Sequence, residues 1–210
     1  LLVFGQPVIA CGKVRYVGEP VVLVVADTRA RAEDALEAIR IEMDDLPVVS
    51  DRNGAERNEV LLHEQANSNC AITLRAVRGD VDAAFRDAPY TRRERLSVHR
   101  HTAIPIDTRG LLADWDPVQR RLTVEGAGKV PSPNRRILAR MLGLEESAID
   151  VLECDIGGGF GVRGEFYPED FLIPFAARRL GRPVKWVESR SDHFLATNHA
   201  RDADCEIEIA

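Results

Sequence analysis

A run of glycines set between a strand and a helix constrains this chain more than any other stretch. Residues 155–170 read DIGGGFGVRGEFYPED, and four of the first seven are glycine: Gly157, Gly158, Gly159 and Gly161. Upstream, Leu152, Cys154 and Ile156 alternate in strand fashion. Downstream, Pro168 leads into the apolar run FLIPFAARRLG, which reads as helix. Glycines at such a junction present main-chain amides and let a bulky or anionic ligand come close. A tight turn needing positive φ would also use them. A turn alone, however, does not call for the aromatic ring of Phe160.

Length leaves room for one large domain or two small ones with a real core: the chain has 210 residues. A net charge of -6, with no basic block, argues against general nucleic-acid binding. Lys13, Lys129 and Lys185 are the only lysines, so the basic side chains are almost all Arg, a bias read as compositional. Cys11, Cys70, Cys154 and Cys205 are far apart and form no C-x-x-C, which excludes a local zinc knuckle or iron–sulfur loop. Cys154 is expected as a small buried hydrophobe. A reducing, cytoplasmic setting follows, with no membrane span and no signal peptide. The chain starts at Leu1 and ends in the alternating run ADCEIEIA. Both ends look cut, and a piece of a longer protein is expected. That final strand would lack a partner, so the isolated piece should aggregate.

Taken in order, residues 21–26 (VVLVVA) read as a strand buried on both faces. Asp27 or Thr28 then caps a helix with Ala32, Ala35, Leu36 and Ile39 on one stripe, and Ile39, Ile41 and Met43 resume as strand. This predicts a β-α-β unit over residues 1–50, followed by a polar linker over 51–70. Residues 72–76 predict a strand and Asp80 a helix cap. Leu96 and Val98 predict another strand, and Asp116-Pro117 a hairpin. Ser132-Pro133 opens a helix that Gly143 closes. The helix after the glycines ends at Gly181, with Pro174 kinking it or marking its start, and residues 184–188 (VKWVE) form a buried strand. Meander strands mixed with crossover helices make the fold class α+β.

Several constellations compete for the chemistry. Gly159, Gly161 and Gly164 satisfy G-x-G-x-x-G, with Glu188 near a ribose-binding position, but residues 165–168 delay the helix that a dinucleotide site requires. His99 and His101 share one face of a strand without a third metal ligand nearby. His193 and His199 read as solvated loop positions. Asp107 and Arg109 form a charged pair whose role, structural or catalytic, spacing leaves open.

Five segments in order carry a resemblance over nearly the whole chain: RGDVDAAF, GGGFG, YPED, AARRLGRPVKWVESR and ATNHARD. Together they resemble the molybdopterin-binding large subunit of the xanthine dehydrogenase, aldehyde oxidase and molybdenum carbon monoxide dehydrogenase family. The opening KVRYVGEPVVLVVADTRARAEDALEAI is similar to the end of the α/β-hammerhead domain that precedes the molybdopterin region. The resemblance thus implies a hammerhead-like part over residues 1–50, a linker over 51–70 and the first part of the molybdopterin-binding domain over 71–210.

The resemblance also implies a molybdenum–molybdopterin cofactor, in the cytosine dinucleotide form if the source is bacterial. It implies cofactor-binding roles for Gly158, Gly159, Phe160, Gly161, Arg163 and Lys129. The Gly-Phe-Gly amides would face the metal centre. The implied reaction oxidises an aldehyde, N-heterocycle or similar small molecule with water as the oxygen source. Electrons pass to [2Fe–2S] and FAD carried on partner subunits or regions of an oligomer. Three departures stand out. Lys129 occupies the place of a family Gln. Gly164 stands where purine- and aldehyde-oxidising members have Glu, Glu165 being one later. The general-base Glu lies beyond this chain, so no catalytic residue is assigned within it. A non-catalytic assembly or binding module with the same fold is the alternative, and Lys129 keeps it open.

Overall fold

The computed structural model describes residues 2–126 and 128–210. It divides into two compact units. One combines the residues up to Gln6 with Asp44–His101 and Ala200–Ala210, and the other combines Pro7–Met43 with Thr102–His199. Helices and strands are mixed in an α+β arrangement with two separate sheets.

The second unit holds the core. Its strands are β2 (Gly110–Asp116), β3 (Arg121–Gly126), β4 (Ile149–Glu153) and β5 (Val184–Val187), in the spatial order β4-β3-β2-β5. Only the β3–β4 pair is parallel, and helix α4 (Pro131–Leu142) makes its crossover. Helix α5 (Pro168–Leu180) connects β4 to β5. Register explains why one face is buried. Ala113 lies opposite both Val124 and Val184, Leu122 opposite Trp115 and Ile149, and Leu111 opposite Trp186. Period-2 alternation therefore collects all the inward side chains on the face that α4 and α5 cover. Ala113, Ala139 and Ala177 are almost completely buried there, and small side chains at those points let the helices approach the sheet. Both helices end as expected, at Gly143 (φ 63°) and Gly181 (φ 61°). Pro174 lies inside α5 rather than at its start.

The hairpin between β2 and β3 is where Asp116-Pro117 places it. The Asp116 carboxylate accepts the Val118 and Gln119 N–H groups at 2.8 and 3.0 Å. Thr28 caps helix α1 (Arg29–Glu37) by accepting the Arg31 N–H. The predicted strands on either side of α1, at 21–26 and 39–43, are absent. Neither segment forms a strand ladder among the described residues, and Val22, Val25, Ile41 and Met43 are exposed. The Ile39 N–H donates instead to the Leu36 carbonyl at the end of α1. An apolar run becomes a strand only when a neighbour completes its ladder. The same reason removes the strand predicted at 72–76.

In the first unit, helix α2 (Arg52–Glu56) is capped by Asp51, and α3 (Val81–Asp87) by Asp80, whose carboxylate accepts the Ala83 N–H at 3.0 Å. Strands β1 (Arg92–Val98) and β6 (Ala203–Ile209) form a two-stranded antiparallel ribbon, so the final strand, expected to lack a partner, finds one within the chain. One face carries Arg93 and Arg95 against Glu206 and Glu208, while the other carries Leu96, Val98, Cys205, Ile207 and Ile209. Two strands alone are marginal in water. Among the described residues, no helix is long and apolar enough to cross a membrane.

Candidate active-site loop

The glycine segment leaves β4 and turns before α5, as a loop whose backbone departs from ordinary L-residue geometry. Gly158 has φ 115° and Gly161 φ 98°, and between them Phe160 takes φ 48°. Positive φ at Phe160 is uncommon for an aromatic residue, and such outliers concentrate at functional sites. The residue is 76% exposed. Positive φ favours glycine at Gly158; a Cβ there would also stand 2.5 Å from the Phe160 ring edge, a contact that the exposed ring relieves by turning aside. At Gly161 a Cβ would meet nothing within 4 Å, so the open side of the loop is not filled by the chain itself.

Hydrogen bonding in the loop is confined to its ends. The Gly157 N–H donates to the Asp107 carboxylate at 2.7 Å, and the Val162 N–H donates to the Gly159 carbonyl at 3.0 Å. Among the described residues, the N–H groups of Gly158, Gly159, Phe160 and Gly161 donate to no protein acceptor. Four consecutive free amides form a donor row suited to an anionic or oxo-bearing ligand. A short 3-10 turn, Val162–Gly164, follows, and α5 starts only at Pro168. No helix N-terminus therefore meets a pyrophosphate here, and the dinucleotide reading loses its geometry.

Arg163 is turned inward, with its side chain 1% exposed and its Nη2 donating to Asp107 Oδ2 at 2.6 Å. Its carbonyl accepts the Lys129 N–H at 3.1 Å, so Arg163 and Lys129 are joined through the main chain. The exposed Lys129 stem passes over Gly164, where an added Cβ would lie 3.8 Å from its Cδ. Asp107 and Arg109 do not pair with each other. Burial would raise Asp107, but the Gly157 N–H and the Arg163 guanidinium together hold it below the usual carboxylate range.

Arg109 belongs to a second, buried network. Glu188 receives the Arg109 Nη2 at 2.5 Å and faces His193 Nδ1 at 2.9 Å, while His193 Nε2 lies 3.1 Å from the Ala103 carbonyl. Glu169 adds a carboxylate at 3.2 Å, and the guanidinium lies over the Tyr167 ring at 4.0 Å. Burial would raise Glu188, yet Arg109, and then His193, keep it below its ordinary range. The carboxylate that a dinucleotide reading would give to a ribose is thus already occupied. Tyr167 ties this network to the loop, its hydroxyl donating to the Val162 carbonyl at 2.6 Å. Burial raises the Tyr167 hydroxyl.

Three sequence expectations need correction. His193 is fully buried rather than solvated, because residues 190–196 form helix α6 (Arg190–Ala196) and carry it inward. The signal was legible: Ser189 is an N-cap whose hydroxyl accepts the Asp192 N–H at 3.0 Å and donates to the Asp192 carboxylate at 2.6 Å. Cys154 is exposed, since β4 ends at Glu153 before it. His99 and His101 do not share a strand, because β1 stops at Val98. Among the described residues, no group of three or more His, Cys, Asp or Glu is placed to hold a metal.

Asp170, in the first turn of α5, accepts the Tyr167 N–H at 2.7 Å. Burial pushes its carboxyl from an ordinary 3.8 up to about 6, although the Tyr167 N–H and Arg109 pull the other way. An acid raised on folding holds more protons folded than unfolded between those values. Its contribution to stability therefore falls as pH rises from about 4 to about 6 and is flat above. The melting temperature of the native protein relative to Asp170→Asn is expected to drop across that window. A constant difference from pH 4 to 7 would contradict this.

Comparison with known proteins then adds the following. Residues 62–210 match the molybdopterin cofactor-binding domain family. The chain is 39% identical to the nicotine 6-hydroxylase large subunit of Paenarthrobacter nicotinovorans, covering 98% of this chain and 25% of that one. It is 35% identical to the carbon monoxide dehydrogenase large chain of Hydrogenophaga pseudoflava, covering 97% and 27%. Among solved structures, quinoline 2-oxidoreductase from Pseudomonas putida 86 superimposes with a TM-score of 0.84 at 33% identity, over 98% of this chain and 26% of that one. The chain thus spans about a quarter of the length of the curated relatives it matches.

Proposed function

The chain belongs to the molybdopterin cofactor-binding domain family, and on that footing we propose that it forms one wall of the catalytic site of a molybdenum hydroxylase large subunit. The observation that carries this reading is the row of free amides at Gly158, Gly159, Phe160 and Gly161, on a loop whose open side the chain leaves unfilled. Main-chain donors fixed beforehand stabilise negative charge without reorganising when it develops. The proposed cofactor-binding set is Gly158, Gly159, Phe160, Gly161, Arg163 and Lys129. Since the described residues offer no metal-ligand cluster, the metal is proposed to arrive with its pterin.

A bound molybdenum–molybdopterin group supplies the two-electron oxidation, and the protein supplies placement and electrostatics. Phe160 presents an exposed ring beside the donor row, suited to the flat face of a substrate or pterin. Lys129 adds a positive charge near the Arg163 end of the loop. Nicotine and quinoline, named in two of the relatives, are nitrogen heterocycles, and we place the substrate in that class. The cytosine dinucleotide form of the cofactor, iron–sulfur and FAD partners, an oligomeric enzyme and a cytoplasmic location complete the proposal. So do the boundaries 1–50 for a hammerhead-like part, 51–70 for a linker and 71–210 for the molybdopterin region.

The test uses the full-length protein purified with its neighbouring subunits. Given quinoline, an electron acceptor and isotopically labelled water, it is expected to release a hydroxylated product carrying the label. A product oxygen taken from dioxygen would contradict the proposal. A non-catalytic module is the second reading, favoured by Lys129 in place of the family Gln, and it requires the same complex to contain neither molybdenum nor pterin.

A further inference from the structure

The glycine loop is anchored from one carboxylate. Asp107 Oδ1 accepts the Gly157 N–H at 2.7 Å, where the loop begins, and Asp107 Oδ2 accepts Arg163 Nη2 at 2.6 Å, where it ends. The same guanidinium nitrogen lies 3.0 Å from the Asp107 carbonyl and 3.4 Å from that of Thr108. A main-chain bond from Ile106 N–H to the Gly157 carbonyl at 3.2 Å doubles the first anchor. Gly157 is the residue this approach requires, since a Cβ there would stand 2.5 Å from Asp107 Oδ1 and 3.0 Å from the Ile106 Cβ. Between the two anchors the Tyr167 hydroxyl holds the Val162 carbonyl, but among the described residues no side chain hydrogen-bonds to residues 158–161, whose four free amides and Phe160 ring occupy that span.

We infer that Asp107 and Arg163 act as a clamp, positioning residues that hold the 158–161 amides in register for the ligand without touching it. Two arguments support this. First, the Arg163 side chain is buried, and among the described residues its Nε and Nη1 find no partner. Its ion pair with Asp107 is therefore what fixes the charge in place, and a buried guanidinium is strongly directional about where its carboxylate sits. Second, a donor row works only if its spacing is set beforehand. A displacement of about 1 Å is enough to cost about 100-fold in rate, and the five residues between the anchors, three of them glycine, have no intrinsic preference for one conformation. The clamp supplies that preference from behind the loop. Arg163 thus belongs to the proposed site through the loop it holds, and Asp107 joins it.

This inference rests on the proposed cofactor site, and the experiment separates the two. In the full-length protein with its partner subunits, hydrogen exchange of residues 157–163 and pterin content are measured for wild type, Asp107→Ala, Arg163→Ala and the double variant. Asp107→Asn and Arg163→Lys serve as milder substitutions should alanine prevent assembly. The clamp requires the bonded Val162 N–H to exchange at least about tenfold faster in each single variant, and the Gly157 N–H likewise in Arg163→Ala, where its acceptor Asp107 is kept. It also requires pterin loss in the double variant no greater than in either single one, because one device is broken only once. Exchange confined to wild-type rates, or pterin losses that multiply in the double variant, would overturn it. A wild-type complex lacking pterin would sink the cofactor site itself, while loop exchange would still report on the clamp. General destabilisation would speed exchange throughout the core sheet, which the clamp does not.

Discussion

Replacing Glu188 with alanine is expected to cost the fold about 3–5 kcal/mol, because it leaves buried charge without its partner. Glu188 is the hub between Arg109 and His193, and neither of those side chains reaches bulk water: the His193 side chain is fully buried and that of Arg109 is 9% exposed. After the substitution Arg109 would keep Glu169, but His193 Nδ1 would face a cavity. A loss of that size is a large fraction of the stability of an ordinary domain. Glu188→Gln keeps the volume and part of the hydrogen bonding and should lose less than half as much. The effect also reaches the loop, because Tyr167 lies against Arg109 and holds the Val162 carbonyl. Thermal melting of both variants gives the answer. An alanine variant that melts within a degree of wild type would show that the network is not structural.

What the sequence made legible follows from which interactions are local. Helix caps at Thr28 and Asp80, the Asp116-Pro117 turn, and the closing glycines Gly143 and Gly181 all act within four residues of their own position. They were readable for that reason. The hairpin of β2 and β3 was readable from its turn. The alternation read at Leu152, Cys154 and Ile156, in contrast, was misplaced: β4 ends at Glu153, and Ile149 and Val151 are the residues it turns to the core. Residues 21–26 failed for the complementary reason: strand formation depends on a distant backbone, and none is paired with them. The site divides in the same way. The glycine loop announced itself by composition, whereas its anchor joins Asp107 to residues 50 and 56 positions away. Charge and spacing suggested instead a partnership of Asp107 with Arg109 that the fold does not make. His193 was misplaced because the Ser189–Asp192 cap was passed over, and with it the helix that buries the ring.

Gly161→Val is expected to lower cofactor content at least tenfold while leaving the fold intact. At φ 98° a β-branched side chain is strained by about 1–3 kcal/mol. Within the chain its Cβ would meet no atom within 4 Å, so steric damage to the core is not the cause. Instead, the side chain would project from the loop and the backbone would rotate toward negative φ, displacing the neighbouring amides. Phe160→Ala, at an exposed position, should change stability by less than about 0.5 kcal/mol and act only where a ligand meets the ring.

The most direct measurement is molybdenum and pterin content of the full-length protein purified with its neighbouring subunits, for wild type and for Phe160→Ala/Gly161→Val side by side. Near-stoichiometric metal and pterin in wild type, largely lost from a variant that melts like it, is the expected result. A well-folded wild-type complex with neither component, or a variant that retains both at wild-type levels, would contradict the assignment of this loop to the cofactor.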